Sequence, residues 1–251
     1  MNNFVRNTLD VIELFLYQSK RAFRILLHGK SLESDFYLFG MRTVKELISS
    51  SQDVVFVDVG GYKGDTSNWV LLNVNSIKSI VVFEPFYDNY KKLKMRFRTQ
   101  ENVQVINKAV SSFMGQGDLN VFAHKGLNSL YAVGEHSYSF DSRENSVVVP
   151  VDVISLDGYF EDCESQFFVK IDVQGAEIDV LKGMIGLFES DRVLGIIIEI
   201  SVVDFYDSHS LSVDLIVFLA KYNFVIKSIN YGYFDRAIGR PLEYDFVFGK
   251  V

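Results

Sequence analysis

The sequence predicts a doubly wound α/β fold, in which a mostly parallel sheet carries helices on both faces. Strand-like and helix-like segments alternate from residue 51 to residue 251. The strand-like segments are nearly all apolar, which is typical of strands covered on both sides. We find no internal repeat and no low-complexity linker in the alternating region. We therefore predict one domain over residues 51–251, preceded by a helical segment over residues 1–50.

Each element is justified by its pattern. Short runs rich in Val, Ile and Phe predict strands, and longer runs with apolar residues three or four apart predict helices. In chain order they are strand VVFVDVG, helix DTSNWVLLNV, strand SIVVFEP, helix YDNYKKLKMRFRTQ, strand VQVINKAV, the β-type segments DLNVFAH and NSVVVPVDVISL, strand SQFFVKIDVQG, helix AEIDVLKGMIGLF, strand VLGIIIEIS, helix SVDLIVFLAKY, and strands FVIKSIN and YDFVFGK. In doubly wound folds, ligands bind at the carboxyl ends of the strands. Polar residues at those ends are the candidates for function.

Charge and cysteine content exclude several classes of protein. The chain of 251 residues has a net charge of −7 and an isoelectric point near 5.2, which argues against nonspecific binding of nucleic acid. The single cysteine, Cys163, excludes an internal disulfide and a multi-cysteine metal site, so we expect a reducing cytoplasm. No uncharged apolar run is long enough for a transmembrane helix or a signal peptide.

The first 30 residues differ in charge from the rest of the chain. They carry a net charge of +3, which leaves −10 for the remainder. Apolar positions 5, 9, 12, 16, 23 and 26–27 recur at helical spacing and predict an amphipathic helix. Such a helix can pack on the domain, pair with a second subunit, or lie on an anionic membrane surface. We favour packing on protein, with a homodimer through this segment ahead of peripheral membrane contact.

The loop after the first strand has three glycines, Gly60, Gly61 and Gly64, directly after the carboxylate of Asp58. A phosphate-binding P-loop would need a lysine where Asp65 stands, and neither register of the glycines matches the dinucleotide-binding pattern. A carboxylate at this position would repel a pyrophosphate but suits a cation or an amino group. The loop therefore predicts a ligand other than a nucleotide phosphate.

A second carboxylate, Glu84, ends the next strand in VVFEP. A carboxylate at that position can accept hydrogen bonds from both hydroxyls of a ribose. An ammonium and a ribose within one ligand describe S-adenosylmethionine. Glycines that only turn a tight strand-to-helix corner, beside two solvated carboxylates, are the structural alternative.

Several further segments resemble one enzyme family. VFVDVGGYKGDTS, VVFEPF, NKAVSS, NSL at 128–130, VDVISLDGYF, FFVKIDVQGAEIDVLKG and IIIEIS occur in the order found in FkbM-type methyltransferases. The resemblance covers about residues 53–250. It implies a Rossmann-like class I methyltransferase fold with a seven-stranded sheet. It also implies S-adenosylmethionine-dependent O-methylation of sugars and other secondary-metabolite hydroxyls.

The resemblance also implies the residues of the cofactor site. Asp58 and the glycine loop would line the methionine and ribose part, and Glu84 would hold the ribose. Ser67 could cap the following helix and touch the methionine carboxylate. Asn107 and Ala109 are candidates for the surroundings of the adenine. The predicted cofactor residues are Asp58, Gly60, Gly61, Gly64, Ser67, Glu84, Asn107 and Ala109.

Methyl transfer to an alcohol requires a group that removes the hydroxyl proton. Asp172 closes the strand FFVKID and Glu199 ends the next strand, so both can point into the crevice. Glu177, in the first turns of the following helix, is a further candidate, although a carboxylate there is also favourable for the helix alone. His124, beside the NSL segment, could act on the substrate side. Asp172 and Glu199 could instead hold a divalent cation, but we predict no metal.

We thus predict an O-methyltransferase that acts on a carbohydrate hydroxyl in a surface-polysaccharide or glycolipid precursor, in the cytoplasm or at the membrane surface. Methylation of a small secondary metabolite is the alternative within the same class. A non-catalytic module that only binds the cofactor is the alternative from another class. The acidic balance, with no basic stripe after residue 30, disfavours RNA as a substrate.

Overall fold

The chain beyond the N-terminal segment folds around a large mixed sheet. The computed structural model describes residues 36–49, 51–123, 126–132, 146–203, 206, 212–235 and 239–251. The strands of the large sheet are β1 (Val54–Val59), β2 (Ile77–Phe83), β3 (Val103–Ile106), β7 (Gln166–Ile171), β8 (Val193–Ser201), β9 (Phe224–Tyr231) and β12 (Glu243–Lys250). These seven strands have the order β3-β2-β1-β7-β8-β12-β9.

The sheet is parallel from β3 to β8, and β12 runs antiparallel to both β8 and β9. The predicted doubly wound, mostly parallel, seven-stranded architecture is therefore confirmed. In the parallel part, the carboxyl ends of β1, β2 and β7 lie side by side, since Val59 pairs with both Phe83 and Ile171. The residues that follow these strands meet at one edge of the sheet.

Most helices lie between the strands where the periodicity predicts them, but the short helix Leu156–Tyr159, which begins at the last residue of the predicted β-type segment NSVVVPVDVISL, was not predicted. The helix expected over AEIDVLKGMIGLF is divided in two, with Gly183 and Met184 at the break. A Cβ atom at Gly183 would lie 2.1 Å from the carbonyl oxygen of Ser111, so this close approach requires glycine. The helices are α1 (Phe36–Ser49), α2 (Asp65–Asn73), α3 (Tyr87–Arg96), α4 (Leu156–Tyr159), α5 (Glu177–Lys182), α6 (Ile185–Glu189) and α7 (Ser212–Ala220).

A small second sheet departs from the sequence prediction. The expected single strand VQVINKAV divides after Ile106, and its last residues pair with another sheet. Asn107 lies at the division, where its Nδ2 donates hydrogen bonds to the carbonyl oxygens of Glu84 and Pro85 at 2.9 and 2.8 Å. The three-stranded sheet has the order β4-β6-β5, with β4 (Ala109–Val110), β5 (Gly115–Val121) and β6 (Val147–Ile154). Two short strands, β10 (Phe234–Asp235) and β11 (Arg240–Pro241), form a separate hairpin.

Apolar clusters on both faces of the large sheet hold the helices. One contains residues of β1, β7 and β8 together with Leu181 and Leu219. The other joins β1 and β2 to Met41, Val44 and Ile48 of α1. Although α1 lies within the predicted N-terminal segment, it thus packs on the sheet as part of the compact unit that begins at Phe36. Fully buried Phe and Ile side chains contribute about 1.5–3 kcal/mol each to this packing.

Some predictions concern residues that the structure does not describe. The amphipathic segment 1–30 and His124 lie outside the described residues, so their predicted roles stay predictions. Among the described helices, none is both long enough and apolar enough to span a membrane.

Candidate active site

A pocket open to solvent lies where the carboxyl ends of β1, β2 and β7 meet. This is the position at which doubly wound folds bind their ligands. Its walls come from the ends of these strands, from β4 and β5, and from the segment around residues 126–130. The lining residues are Val59, Gly60, Tyr62, Phe83, Glu84, Pro85, Lys108, Ala109, Val110, Leu119, Gly126, Asn128, Ser129, Leu130, Asp172, Val173 and Gln174.

Glu84 lines this pocket as a buried carboxylate, with 5% of its surface exposed. It accepts hydrogen bonds from the backbone N–H of Tyr62 at 2.8 Å and of Phe86 at 2.9 Å. Burial raises the pKa of Glu84 to about 7, although these two N–H groups act in the opposite direction. Glu84 therefore combines a fixed orientation with a protonation state that changes near neutral pH.

The glycine loop makes room for protein atoms. A Cβ atom at Gly60 would lie 1.8 Å from the carbonyl oxygen of Asp172, and one at Gly61 would lie 2.2 Å from Val82. Gly60 and Gly64 also have φ angles of +84° and +76°, a conformation that favours glycine. These glycines therefore have a packing role, and of the three only Gly60 lines the pocket; their predicted contact with the cofactor stays a prediction.

Asp58, near the end of β1, is almost completely buried, with 1% of its surface exposed. Its Oδ2 accepts a hydrogen bond from Ser67 Oγ at 2.5 Å, and its Oδ1 lies 3.4 Å from the Nζ of Lys170. The ammonium of Lys170 thus lies beside Asp58, and the predicted contact of Asp58 with the cofactor stays a prediction. Ser67 is fully buried and makes no capping hydrogen bond, because α2 already begins at Asp65, with Gly64 as its N-cap. Both Asp58 and Ser67 lie outside the pocket lining.

Lys170 contacts both the buried Asp58 and the pocket-lining Asp172. Its Nζ donates to the carbonyl oxygen of Gly60 at 2.9 Å and to Asp172 Oδ2 at 3.0 Å. Burial by itself lowers the pKa of the Lys170 ammonium, but the carboxylates of Asp172 and Asp58 outweigh it and raise that pKa well above the usual value. Lys170 is thus a permanent cation between two carboxylates.

Asp172 is the predicted acid that faces the pocket. It follows β7 directly, its N–H donates to the carbonyl oxygen of Val59 at 3.0 Å, and 34% of its side chain is exposed. Besides Lys170, its carboxylate accepts a hydrogen bond from Gln174 Nε2 at 2.9 Å. Both carboxylate oxygens are therefore held from the protein side while the group stays open to a ligand.

Glu199 lies next to this site, on the neighbouring strand. Its Oε2 accepts from Gln174 Nε2 at 2.6 Å, and its cross-strand partner on β12 is Asp245. The pKa of Glu199 is raised well above its usual value, by burial first and then by the charges of Glu243 and Asp172. The pKa of Asp245 is raised to about 7 by burial and by the charge of Asp172. Asp172 lines the pocket, whereas Glu199 does not.

Glu177 and Asn107 also lie outside the lining, whereas Ala109 belongs to it. The carboxylate of Glu177 accepts from the backbone N–H groups of Val173 and Gly175 at 3.0 to 3.2 Å and fastens the loop after β7. Burial raises the pKa of Glu177 to about 7, with those backbone N–H groups acting against it. These contacts lie at the N-terminus of α5, where the sequence offered a structural alternative, and the predicted catalytic role of Glu177 stays a prediction.

Sequence reasoning missed three residues of this network. Lys170 is the one charged residue of the mostly apolar strand β7, which is a signal that the sequence carries, whereas Asp245 lies in β12 together with Glu243 and Lys250 and does not stand out. Gln174 has a φ angle of +59°, which the sequence did not indicate. Within the described part of the chain, no group of three or more histidine, cysteine or acidic side chains is arranged to hold a metal ion.

Several solved structures are similar to the chain at low sequence identity. Solved structures similar to the chain include a methyltransferase FkbM from Methylobacillus flagellatus KT, with 17% identity, 78% of this chain and 43% of that chain covered, and a TM-score of 0.47. An S-adenosylmethionine-dependent methyltransferase from Clostridium acetobutylicum ATCC 824 has 8% identity, coverage of 94% and 98%, and a TM-score of 0.45. An rRNA methylase from Streptococcus thermophilus has 13% identity, coverage of 84% and 96%, and a TM-score of 0.43.

These likenesses are too distant to assign a substrate, and the chain spans less than half the length of the Methylobacillus protein. No curated protein sequence matches the chain significantly. The strand order and the pocket at the strand ends define a class I, S-adenosylmethionine-dependent methyltransferase fold. A sequence-family model, the methyltransferase FkbM domain, matches residues 58–226. The chain belongs to the FkbM methyltransferase family, as its motifs predicted.

Proposed function

We propose that this protein is an O-methyltransferase that methylates a carbohydrate hydroxyl, in a precursor of a surface polysaccharide or glycolipid. The observation that carries the proposal is the placement of Asp172. Its carboxylate faces the pocket at the carboxyl end of β7, while Glu84 lies at the end of β2, on the other side of β1. A base and a cofactor-binding carboxylate on opposite sides of one pocket suit proton removal beside a bound cofactor.

The pocket has the groups that S-adenosylmethionine requires. The carboxylate of Glu84 would accept the ribose hydroxyls, since carboxylate oxygens retain acceptor capacity beyond two backbone N–H groups. Apolar side chains, among them Val110 and Leu119, together with Ala109, would surround the adenine. The chemistry that the bound cofactor supplies is a methyl group already activated by a sulfonium.

Asp172 would take the proton of the acceptor hydroxyl as the oxygen is methylated. Lys170 and Gln174 fix its two carboxylate oxygens, so the side chain is oriented before the substrate arrives. Preorganised groups of this kind avoid a reorganisation cost during the reaction. A positioned general base contributes about 10²–10⁴-fold to the rate.

The pocket's composition supports a neutral polyhydroxyl acceptor. The pocket lining includes Asn128, whose side-chain Nδ2 has no hydrogen-bond partner within the described part of the chain. An amide N–H of this kind can donate to a sugar hydroxyl. The acidic groups around Asp172 would repel the phosphates of a nucleic acid, which supports the expectation that nucleic acid is not the substrate.

One experiment tests the proposal directly. The purified protein is incubated with S-adenosylmethionine and a panel of nucleotide sugars, lipid-linked glycans and small phenolic or polyketide alcohols. Mass spectrometry then identifies any acceptor that gains one CH₂. Methylation of a glycan hydroxyl is the expected result. Methylation of only the small alcohols would support the secondary-metabolite alternative, and cofactor binding without any methylation would support the non-catalytic module.

A further inference from the structure

We propose that Gln174 is a positioning residue for methyl transfer, which orients the pocket-facing carboxylate of Asp172 and couples it to Glu199 on the next strand. This inference rests on the proposed function, because the reaction assigned to Asp172 gives the orientation its purpose. The argument comes from the hydrogen bonds of the Gln174 side chain, its backbone conformation and the charges around it.

Both ends of the Gln174 side-chain amide form hydrogen bonds with protein groups. Its Nε2 donates to Asp172 Oδ1 at 2.9 Å and to Glu199 Oε2 at 2.6 Å, so its two N–H bonds serve two carboxylates. Its Oε1 lies 3.0 Å from the hydroxyl of Tyr206, which donates to it. The opposite amide orientation would place the carbonyl oxygen against both carboxylates. The donor side of the amide must therefore face Asp172 and Glu199.

Gln174 has an energetically unfavourable backbone conformation. Gln174 has a φ angle of +59°, in the left-handed region that residues with a Cβ atom rarely adopt. The hydroxyl of Ser129 donates to its carbonyl oxygen at 2.6 Å, and the residue is 8% exposed. Unfavourable backbone conformations persist where surrounding contacts hold them, and they cluster at functional sites. The loop after β7 is thus held in the conformation that brings the amide between the two acids.

The surroundings of the amide favour a neutral donor at this position. Acidic groups outnumber basic ones there, and an ionised carboxylate at residue 174 could donate a hydrogen bond to neither Asp172 nor Glu199. The titratable and charged groups around the amide, from β7 and its loop, α5, β8, the segment after β8 and β12, are Lys170, Asp172, Glu177, Glu199, Tyr206, Glu243 and Asp245.

The amide leaves Asp172 a defined orientation toward the pocket. Lys170 holds Oδ2 and Gln174 holds Oδ1, so rotation of the carboxylate would break one of the two contacts. Because Gln174 donates to the ionised form, its removal makes the carboxylate bind a proton more tightly. This change in the titration of Asp172 is a consequence that a purely structural role of Gln174 would not produce.

The first test needs no acceptor substrate. The titration of the Asp172 carboxyl carbon is followed by NMR in the full-length protein and in Gln174→Met, which keeps the side-chain length without N–H donors. We expect the midpoint for Asp172 to move upward by about one pH unit. Tyr206→Phe, which removes only the hydroxyl on the far side of the amide, is the matched control and should leave that midpoint in place. An unchanged midpoint in a folded Gln174→Met variant overturns the inference.

If Gln174→Met does not fold, the same titration is measured in Gln174→Glu. The introduced side chain, once ionised, would add a third carboxylate beside Asp172 and Glu199, so the Asp172 midpoint should move further upward than in Gln174→Met. If it stays at the wild-type position in Gln174→Glu, the inference fails as well. Binding of S-adenosylhomocysteine, measured by calorimetry, shows in each variant that the pocket is intact.

The second test uses an acceptor found with the panel. In Gln174→Met, kcat should fall about 10-fold or more, with little change in the KM for the cofactor, and its pH profile should shift with the Asp172 midpoint. A loss of kcat without that shift would make Gln174 structural only and overturn the inference. If the wild-type protein methylates no acceptor, the proposed function fails, and the NMR titration still decides whether Gln174 orients Asp172.

Discussion

Asp58 and Lys170 are direct neighbours on the parallel strands β1 and β7, with Lys170 Nζ 3.4 Å from Asp58 Oδ1. Asp58 is almost completely buried, and its Oδ1 has no hydrogen-bond partner within the described chain. The ion pair with Lys170 therefore offsets the cost of burying this carboxylate oxygen. The same ammonium reaches Asp172, which faces the pocket. Lys170 therefore pairs with both a buried carboxylate and the candidate catalytic carboxylate.

Replacing Lys170 should destabilise the fold strongly. Lys170→Met would leave Asp58 as a buried charge without an ionic partner, and such changes cost about 3–5 kcal/mol. The double variant Asp58→Asn/Lys170→Met removes the stranded charge and should recover a large part of that loss. Urea denaturation of both variants measures the effect, with the exposed Lys92→Met as the control. Equal stabilities for the single and double variants would show that the pair is not what compensates Asp58.

Cofactor binding should weaken as the pH falls through neutrality. The pKa of Glu84 is raised to about 7, so its carboxylate is mostly ionised at about pH 8 and mostly protonated at about pH 6. Only the ionised form accepts hydrogen bonds from both ribose hydroxyls at full strength. The Kd of S-adenosylhomocysteine should therefore be several-fold to about 10-fold higher at about pH 6 than at about pH 8.

The variant Glu84→Gln separates this effect from other titrations. It should bind more weakly at about pH 8, by about 1.5–3 kcal/mol for each charge-assisted hydrogen bond lost, and with a flat pH dependence. The exposed Glu101→Gln variant should behave as the wild type. Calorimetry that finds the wild-type pH dependence preserved in Glu84→Gln would remove Glu84 from the cofactor site.

The strand ends could be predicted from sequence because local patterns define them. Asp58, Glu84 and Asp172 each follow or end an apolar run, and parallel strands bring such ends together. The pairing of Asp58 with Lys170 depends on the register of two strands that are far apart in the chain. The contact of Gln174 with Glu199 depends on a left-handed residue in the loop after β7. Such contacts are set by tertiary packing, which periodicity does not report.

Gly60 should be intolerant of any side chain. In Gly60→Ala, the Cβ atom would lie 1.8 Å from the carbonyl oxygen of Asp172, and the φ angle of +84° adds backbone strain. Gly239→Ala is the matched control, because Gly239 has a φ angle of +70° and no atom within 4 Å of an added Cβ. The control should lose only about 1 kcal/mol of stability. Gly60→Ala should lose more and should also lose S-adenosylhomocysteine binding; retained binding would show that the loop shifts without consequence.

Buried acids such as Glu177 should make the free energy of unfolding decrease as the pH rises. Its pKa is raised from 4.5 to about 7, so the folded state binds this proton more tightly than the unfolded state. The resulting stabilisation is fully present below about pH 4.5 and is lost as the pH rises through 7. In Glu177→Gln, the decline of the free energy of unfolding should be shallower by up to about 1.4 kcal/mol per pH unit within that window. Denaturation curves across the window measure this, with exposed Glu161→Gln as the control; parallel curves for wild type and Glu177→Gln would contradict the expectation.

Asp172→Asn should separate catalysis from cofactor binding. The amide keeps the size of the side chain and one acceptor oxygen, so the contact with Lys170 can persist while the proton-accepting carboxylate is lost. The residue lies at the opposite side of the pocket from Glu84, and S-adenosylhomocysteine should therefore bind within a few-fold of the wild-type affinity. With an acceptor from the panel, kcat should fall about 10²–10⁴-fold, the usual contribution of a general base. Asp162→Asn, an exposed acid after α4, is the control. A kcat within a few-fold of wild type in Asp172→Asn would require the base to be sought elsewhere, and Glu199→Gln would then be the next variant to measure.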